Sequence, residues 1–333
     1  MKDIPAIPHR KSHGMCPVNG IRDLVHWRTG RDWSNEFLFG LGQGGSFGYL
    51  RFKSADPPRQ VYWGIAGLRQ HRYLAELFNA KYTEVENRSF KFSWNKVQEA
   101  LEAGTPPVIG PMDMYYLPFY EELYHKRHIP IHYLLLVGYD EQKARVYDTG
   151  QDEVQELTLN ELQEAWDVNV PGLGKKNRLA VFDIPEEIAT TEDIIRKSIA
   201  DQCQNMLHPP VSMVGVPAMR KVAKEIAGWR EEFGEAADKC LRQVLEYLNS
   251  PPDIEGDNLT AGRHIYIRFL QEAGEKTGLD FSDPMRLLGE TIKGLPALAE
   301  SIRQEDLEEA GACFGRIADT EEKAYAILEK MVG

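Results

Sequence analysis

Cysteine is scarce in this chain, four residues in 333, at positions 16, 203, 240 and 313. They lie far apart with no CxxC pair, which excludes the spacings of structural zinc sites and disulfide frameworks and leaves free thiols. Long apolar runs are missing too. No stretch approaches the roughly 18 consecutive apolar residues of a membrane span, and the opening MKDIPAIPHRKSHG lacks the apolar centre of a secretory signal. The expected compartment is therefore the cytoplasm. Nor is there a basic stripe: 39 Lys and Arg face 51 Asp and Glu, a net charge of −12, so neither nucleic acid nor an anionic membrane is an expected partner.

The negative charge is uneven. Residues 1–183 carry 22 basic and 23 acidic side chains, whereas residues 184–333 carry 17 and 28. The texture changes at the same place. The first part mixes helix and strand signals with many glycines, prolines and aromatics, and from Thr191 onward amphipathic helices follow one another near 191–206, 215–230, 232–249, 260–273, 284–303 and 305–331. Leu241, Val244, Leu245 and Leu248 mark one such apolar stripe. The pattern predicts an α+β domain over residues 1–187 and an all-α domain over residues 188–333, the helices extending or lidding the cleft of the first.

Cys16 stands directly before Pro17 in SHGMCPVNG, and residues 17–28 read as a helix opened by proline. The first turn of a helix offers unpaired N–H groups and partial positive charge, which favour the nucleophilic thiolate. A small residue capping a turn is the plainer reading of the same position. Cys203, Cys240 and Cys313 sit inside helical patterns and read as core packing.

Residues 132–148, HYLLLVGYDEQKARVYD, read as a hairpin: an apolar strand, a polar turn at Asp140 to Lys143, and a second strand. His132 opens it and Asp148 closes it. A histidine there can turn one ring nitrogen toward a thiol and the other toward a carboxylate. Because side chains alternate faces, the two share a face only if the turn has an odd number of loop residues. Taken singly, His132 reads as a structural histidine and Asp148 as a turn aspartate.

Residues 105–111, TPPVIGP, read as a short buried strand delivering the loop from Met112 to Tyr116. Asp113, Tyr115 and Tyr116 on that loop, with Asn19, are candidate substrate contacts, since tyrosine combines a flat apolar face with a hydroxyl. Their alternative is packing and turn chemistry. Gly40, Gly42 and Gly45 spell GxGxxG, but SFGYLRFKS after them alternates like a strand instead of opening a helix, so dinucleotide binding is not expected. A substrate-facing loop or hairpin turn fits better. His125, His128 and His132 spell HxxHxxxH, with Asp113 as a conceivable fourth metal ligand, but Pro130 breaks any helix between them and no metal is expected. His125 and His128 beside Lys126 and Arg127 form a basic turn that could meet an acidic partner.

Cysteine at a helix start, then HYLLLVGYD, then VYD, in that order, resembles the papain-like superfamily, in particular its bacteriocin-leader peptidase-like branch. More specifically, HGMCPVNGIRDLVHW, FLFGLGQGGSFGYLRF, DMYYLP and the 132–148 hairpin are similar to the butirosin biosynthesis protein H family, and GVPAMRKVAKEIAGW and GRHIYIRFLQEA to the helical domain that follows in many members. The resemblance implies a papain-like cysteine-protease fold in the first domain, with Cys16 as nucleophile, His132 as base and Asp148 as orienter. It further implies an antibiotic-biosynthesis acyltransferase that moves an acyl group from an acyl-carrier-protein thioester to a small-molecule amine, without a cofactor. Papain-like enzymes usually place a glutamine just before the cysteine to complete the oxyanion hole. Here the stretch reads His9-Arg10-Lys11-Ser12-His13, so Ser12, His13 or Gln43 are the candidates for that donor. A cysteine peptidase or amidase using the same three residues, and a non-catalytic binding protein, are the rival readings.

Overall fold

The computed structural model describes residues 2–3, 6–12, 14–52, 54–64, 67–249 and 258–333. In chain order the elements are β1 (Lys2–Asp3), α1 (Cys16–Thr29), α2 (Asn35–Leu41), β2 (Phe47–Arg51), β3 (Arg59–Trp63), α3 (Gly67–Leu77), β4 (Lys81–Val85), α4 (Phe90–Glu102), β5 (Pro107–Met112), β6 (His132–Tyr139), β7 (Lys143–Tyr147), β8 (Gln155–Thr158), α5 (Leu159–Trp166) and β9 (Leu179–Asp183). Helices follow: α6 (Thr191–Leu207), α7 (Gly215–Glu225), α8 (Trp229–Phe233), α9 (Ala236–Leu248), α10 (Arg263–Thr277), α11 (Ser282–Arg303) and α12 (Leu307–Val332). The chain divides into two compact units, Met1–Leu38 with Ala66–Ala189, and Phe39–Ile65 with Thr190–Gly333.

The first unit is α+β. Its antiparallel sheet runs β4-β9-β5-β6-β7-β8, with β1 added on β6. Strand side chains alternate faces, and here the alternation sorts two layers. Ile109, Leu134, Leu136, Ala144, Val146, Leu157 and Leu179 pack with Trp94, Val97 and Leu101 of α4 and with Leu162, Ala165 and Trp166 of α5. Ser89 caps α4 by accepting from the Phe92 N–H, and Thr158 with Glu161 forms a capping box that starts α5. Val108 and Leu135 take the opposite face, under α1. Gly20 lets that helix settle: a Cβ there would lie 3.1 Å from Leu135 Cβ and 3.2 Å from Val108 Cγ2.

The second unit is helical apart from the β2–β3 hairpin. Sequence patterning assigns residues 39–65 to the first domain, and the structure corrects this. Phe47, Tyr49 and Val61 of the hairpin are buried in a unit whose other members are α6 to α12, and hydrogen bonds fasten it there. Gln243 of α9 accepts from the Val61 N–H at 2.8 Å and donates to the Val61 carbonyl at 2.7 Å, while Tyr49 donates its hydroxyl to Glu225 at 2.8 Å. Strand β3 would otherwise leave these backbone groups unpaired. The glycines of GxGxxG serve the same packing: a Cβ on Gly40 would lie 2.0 Å from Phe269, and one on Gly45 2.5 Å from the Tyr325 hydroxyl. That turn closes against α10 and α12 within its own unit. Among the described residues no helix is long and apolar enough to cross a membrane.

Candidate active site

Two left-handed residues, Gly14 at φ 77° and Met15 at φ 60°, turn the chain sharply into α1. Cys16 is the first residue of that helix, with Pro17 after it and no side chain capping the terminus. No acidic residue stands in the first turn, so nothing there offsets the positive end of the helix. The Cys16 sulfur is partly exposed and lies 3.7 Å from the Ile131 carbonyl oxygen, one residue before His132. The other cysteines are buried in the helical unit, and burial pushes the Cys203 thiol up to about 12, where little thiolate exists.

His132 and Asp148 meet because of a bulge. Tyr139 pairs with Ala144, so the turn itself loops out four residues, 140–143, an even number that would set the two on opposite faces. Between Leu136 and Gly138 the register shifts by one, so that Leu136 faces Val146 and Leu135 faces Tyr147. The extra residue, Val137, makes the looped-out total odd and brings His132 and Asp148 to one face.

The carboxylate of Asp148 is fully buried. His132 Nε2 bonds its Oδ2, while Oδ1 accepts from the Tyr120 hydroxyl at 2.6 Å and from the Gly150 N–H at 2.7 Å. Burial alone would raise the Asp148 pKa, but the His132 charge and the hydrogen bonds from His132, Tyr120 and Gly150 outweigh it and hold the group below the usual carboxylate value. For His132, burial opposes the charged form most strongly. Asp148 and Cys16 together overcome it, as neighbouring charges and as hydrogen-bond partners, and raise the imidazole well above its ordinary 6.5. With Nε2 on Asp148, Nδ1 is the ring nitrogen left for Cys16. The structure thus brings together Cys16, His132 and Asp148, with His132 as the middle member.

Tyr120 was not legible in the sequence, although it touches both members of the buried pair. His9 was missed as well. Its ring stacks on Tyr147 with centroids 4.3 Å apart, Nδ1 lies 2.6 Å from Asp23 Oδ2, and Nε2 lies 2.9 Å from the Gln151 carbonyl oxygen. With two acceptors to satisfy, His9 donates from both nitrogens, and its pKa is raised despite burial, chiefly by Asp23. The Ser12 N–H, donating to the Thr149 carbonyl at 2.7 Å, completes a clasp between the segment leading to Cys16 and the turn carrying Asp148.

The remaining candidates fall elsewhere. Asp113 Oδ1 accepts from the N–H groups of Tyr115 and Ile129, and Oδ2 lies 2.6 Å from His128 Nδ1, so its carboxylate shapes the loop. Tyr115 stacks on His128 at 4.1 Å and Tyr116 packs edge-on to Tyr115, both partly exposed. Asn19 is buried and accepts from Asn35 Nδ2 at 3.1 Å. Gln43 is buried in the second unit, donating to the Ser198 carbonyl and accepting from Asn205. His13 lies outside the described residues. The three histidines of HxxHxxxH take different partners: His125 stacks on Tyr124, His128 pairs with Asp113, and His132 with Asp148.

Residues 15–149 match a family model described as butirosin biosynthesis protein H, N-terminal, and residues 160–328 match a domain of unknown function (DUF4872). No curated protein matches the chain.

Proposed function

The chain belongs to the butirosin biosynthesis protein H-like family, an N-terminal domain of that family followed by a helical domain, and on that premise we propose that it is a cysteine-nucleophile acyltransferase of papain-like type. The family is linked by name to antibiotic biosynthesis. The observation that carries the reading is His132 held between Cys16 and Asp148 at the head of α1. Helix-start cysteine, strand-mouth histidine and next-strand aspartate on an antiparallel sheet are the features that support the papain-like reading.

In the proposed reaction the Cys16 thiolate attacks the carbonyl of an acyl thioester, the donor on a carrier protein being the leading candidate. A new carbon–sulfur bond forms, the donor thiol leaves with the proton from His132, and an acyl-enzyme remains. The Cys16 N–H at the helix start holds the developing oxyanion. With Gln43 hydrogen-bonded inside the other unit and the Ser12 N–H committed to the Thr149 carbonyl, the Ser12 hydroxyl is the candidate second donor. An amine then attacks, His132 accepts its proton, Asp148 steadies the imidazolium, and the amide leaves as Cys16 is restored. No cofactor enters either step. Tyr115 and Tyr116 would line the acceptor's approach. Four unpaired thiols suit a reducing compartment such as the cytoplasm.

The test is a simple acyl thioester offered with and without a small primary amine. Amide formation that is lost in Cys16→Ser supports the transferase. Hydrolysis alone, with amine ignored, supports the peptidase or amidase reading. A Cys16 that reacts no faster with iodoacetamide than free cysteine supports a binding protein.

A further inference from the structure

We propose that Tyr120 is a positioning residue of this site, its hydroxyl holding the Asp148 carboxylate in register with the His132 imidazole. The inference rests on the reading of Cys16, His132 and Asp148 given above.

Three independent features point to Tyr120. Its hydroxyl donates to Asp148 Oδ1 at 2.6 Å and lies 3.4 Å from His132 Nε2, so one group touches both members of the pair. Its ring stands edge-on to the His132 ring, centroids 5.4 Å apart at 84°, which fixes the imidazole plane. The surrounding chain is built to put it there. Tyr120 N–H donates to the Leu117 carbonyl, its carbonyl accepts from Leu123 and Tyr124, and Gln151 donates to the Phe119 carbonyl. Residue 150 must then be small: a Cβ on Gly150 would lie 3.0 Å from the Tyr120 hydroxyl and 3.3 Å from Asp148 Oδ1.

The chemistry follows from the carboxylate's surroundings. The titratable groups facing Asp148 are His132, Tyr120 and, across the imidazole, Cys16. A fully buried carboxylate whose Oδ1 loses a donor is left with an unsatisfied lone pair in a dry site. Burial and the Asp148 charge hold the Tyr120 hydroxyl protonated far above its ordinary range, so it donates at any working pH. Tyr120 need never transfer a proton; it acts through Asp148.

The experiment uses the full chain labelled with nitrogen-15 histidine, in the parent, Tyr120→Phe and Gly150→Ala. The phenylalanine keeps the ring against His132 and removes only the hydroxyl. The alanine keeps the hydroxyl and crowds its contact with the carboxylate by a few tenths of an ångström. On acidification the His132 resonances report the pH at which Asp148 takes up a proton and the pair separates. Loss of one donor to a charged carboxylate is expected to move that transition up by about one to two pH units in Tyr120→Phe, and in the same direction in Gly150→Ala. The maximal turnover of thioester and amine should fall about tenfold with KM unchanged. A purely structural tyrosine would lower the Tm and leave the transition where the parent has it, and that result overturns the proposal. The resonance needs no substrate, so Tyr120 is judged even if no acyl transfer is found. Conversely, a parent enzyme that forms no adduct at Cys16 removes the acyltransferase alone.

Discussion

Replacing Asp148 by asparagine tests how the site makes its imidazolium, because size is conserved and one buried negative charge is lost. Oδ1 is fixed by two donors, the Tyr120 hydroxyl and the Gly150 N–H, so the new amide keeps its oxygen there. Its NH2 must then face His132 Nε2. A donor meeting a donor breaks the pair, and His132 is forced to carry its single proton on Nδ1, the nitrogen nearest the thiol. With Asp148 gone, burial becomes the dominant influence on His132 and favours the neutral ring. A hydrogen bond to a charged group contributes about 1.5–3 kcal/mol, so the imidazolium becomes rarer by roughly 10- to 150-fold. The assay is iodoacetamide alkylation at pH 6 read at the Cys16 peptide by mass spectrometry, since the anionic sulfur beside an imidazolium is the reactive form. Asp148→Asn should slow it by about that factor, and His132→Ala by at least as much. Parent-like alkylation in Asp148→Asn would refute the reasoning.

The remaining predictions concern the scaffold. His71 is fully buried, donates from Nε2 to the Pro17 carbonyl beside Cys16 and accepts from Arg178, and burial with the Arg178 charge lowers its pKa from 6.5 to about 3. The native state therefore binds fewer protons than the unfolded chain below pH 6.5, and stability should fall by about 1.4 kcal/mol per pH unit on acidification. Denaturant melts in His71→Gln should flatten that limb, and an unchanged slope would contradict the assignment. His9 and His132 are raised instead, so their contributions are complete below pH 6.5 and fade as pH rises through their native values, placing the maximum near neutrality. A fragment ending at residue 187 keeps the β2–β3 hairpin without Gln243 and Glu225, exposes Phe47, Tyr49 and Val61, and should aggregate; a monomeric, cooperatively melting fragment would show the hairpin to be self-sufficient. Gly40→Ala forces a methyl to 2.0 Å from Phe269 and should cost about 1–3 kcal/mol or more, whereas Gly289→Ala, with open space around its Cβ inside α11, should gain up to about 1 kcal/mol in thermal melts.

Much of this arrangement is written in local sequence. Pro17 after Cys16 announces α1, alternating and continuous apolar runs announce β6 and β7, and 3.6-residue periodicity announces the helices after Thr191. What local patterning misses is set by long-range partners. The Val137 bulge that aligns His132 with Asp148 is marked in the sequence by nothing more than Gly138 beside it, and the hairpin 39–65 looks like any α+β segment until α7 and α9 are there to receive it. Tyr120 and His9 are inconspicuous because their partners lie 28 and 14 residues away. Asp113 and Asn19 are ambiguous in the sequence, because a polar residue near a site can serve a ligand or the fold until its hydrogen bonds are seen. Both are engaged inside the fold.

The central claim is that Cys16 carries the acyl group. Incubating the full chain with an acyl thioester, quenching in acid and measuring intact mass followed by peptide mapping tests it directly. The account predicts a mass increase of one acyl group on the Cys16 peptide, absent in Cys16→Ser, and discharged by a primary amine with formation of the amide. Acyl transfer proceeding in Cys16→Ser, or an adduct found only on Cys203, Cys240 or Cys313, would contradict it.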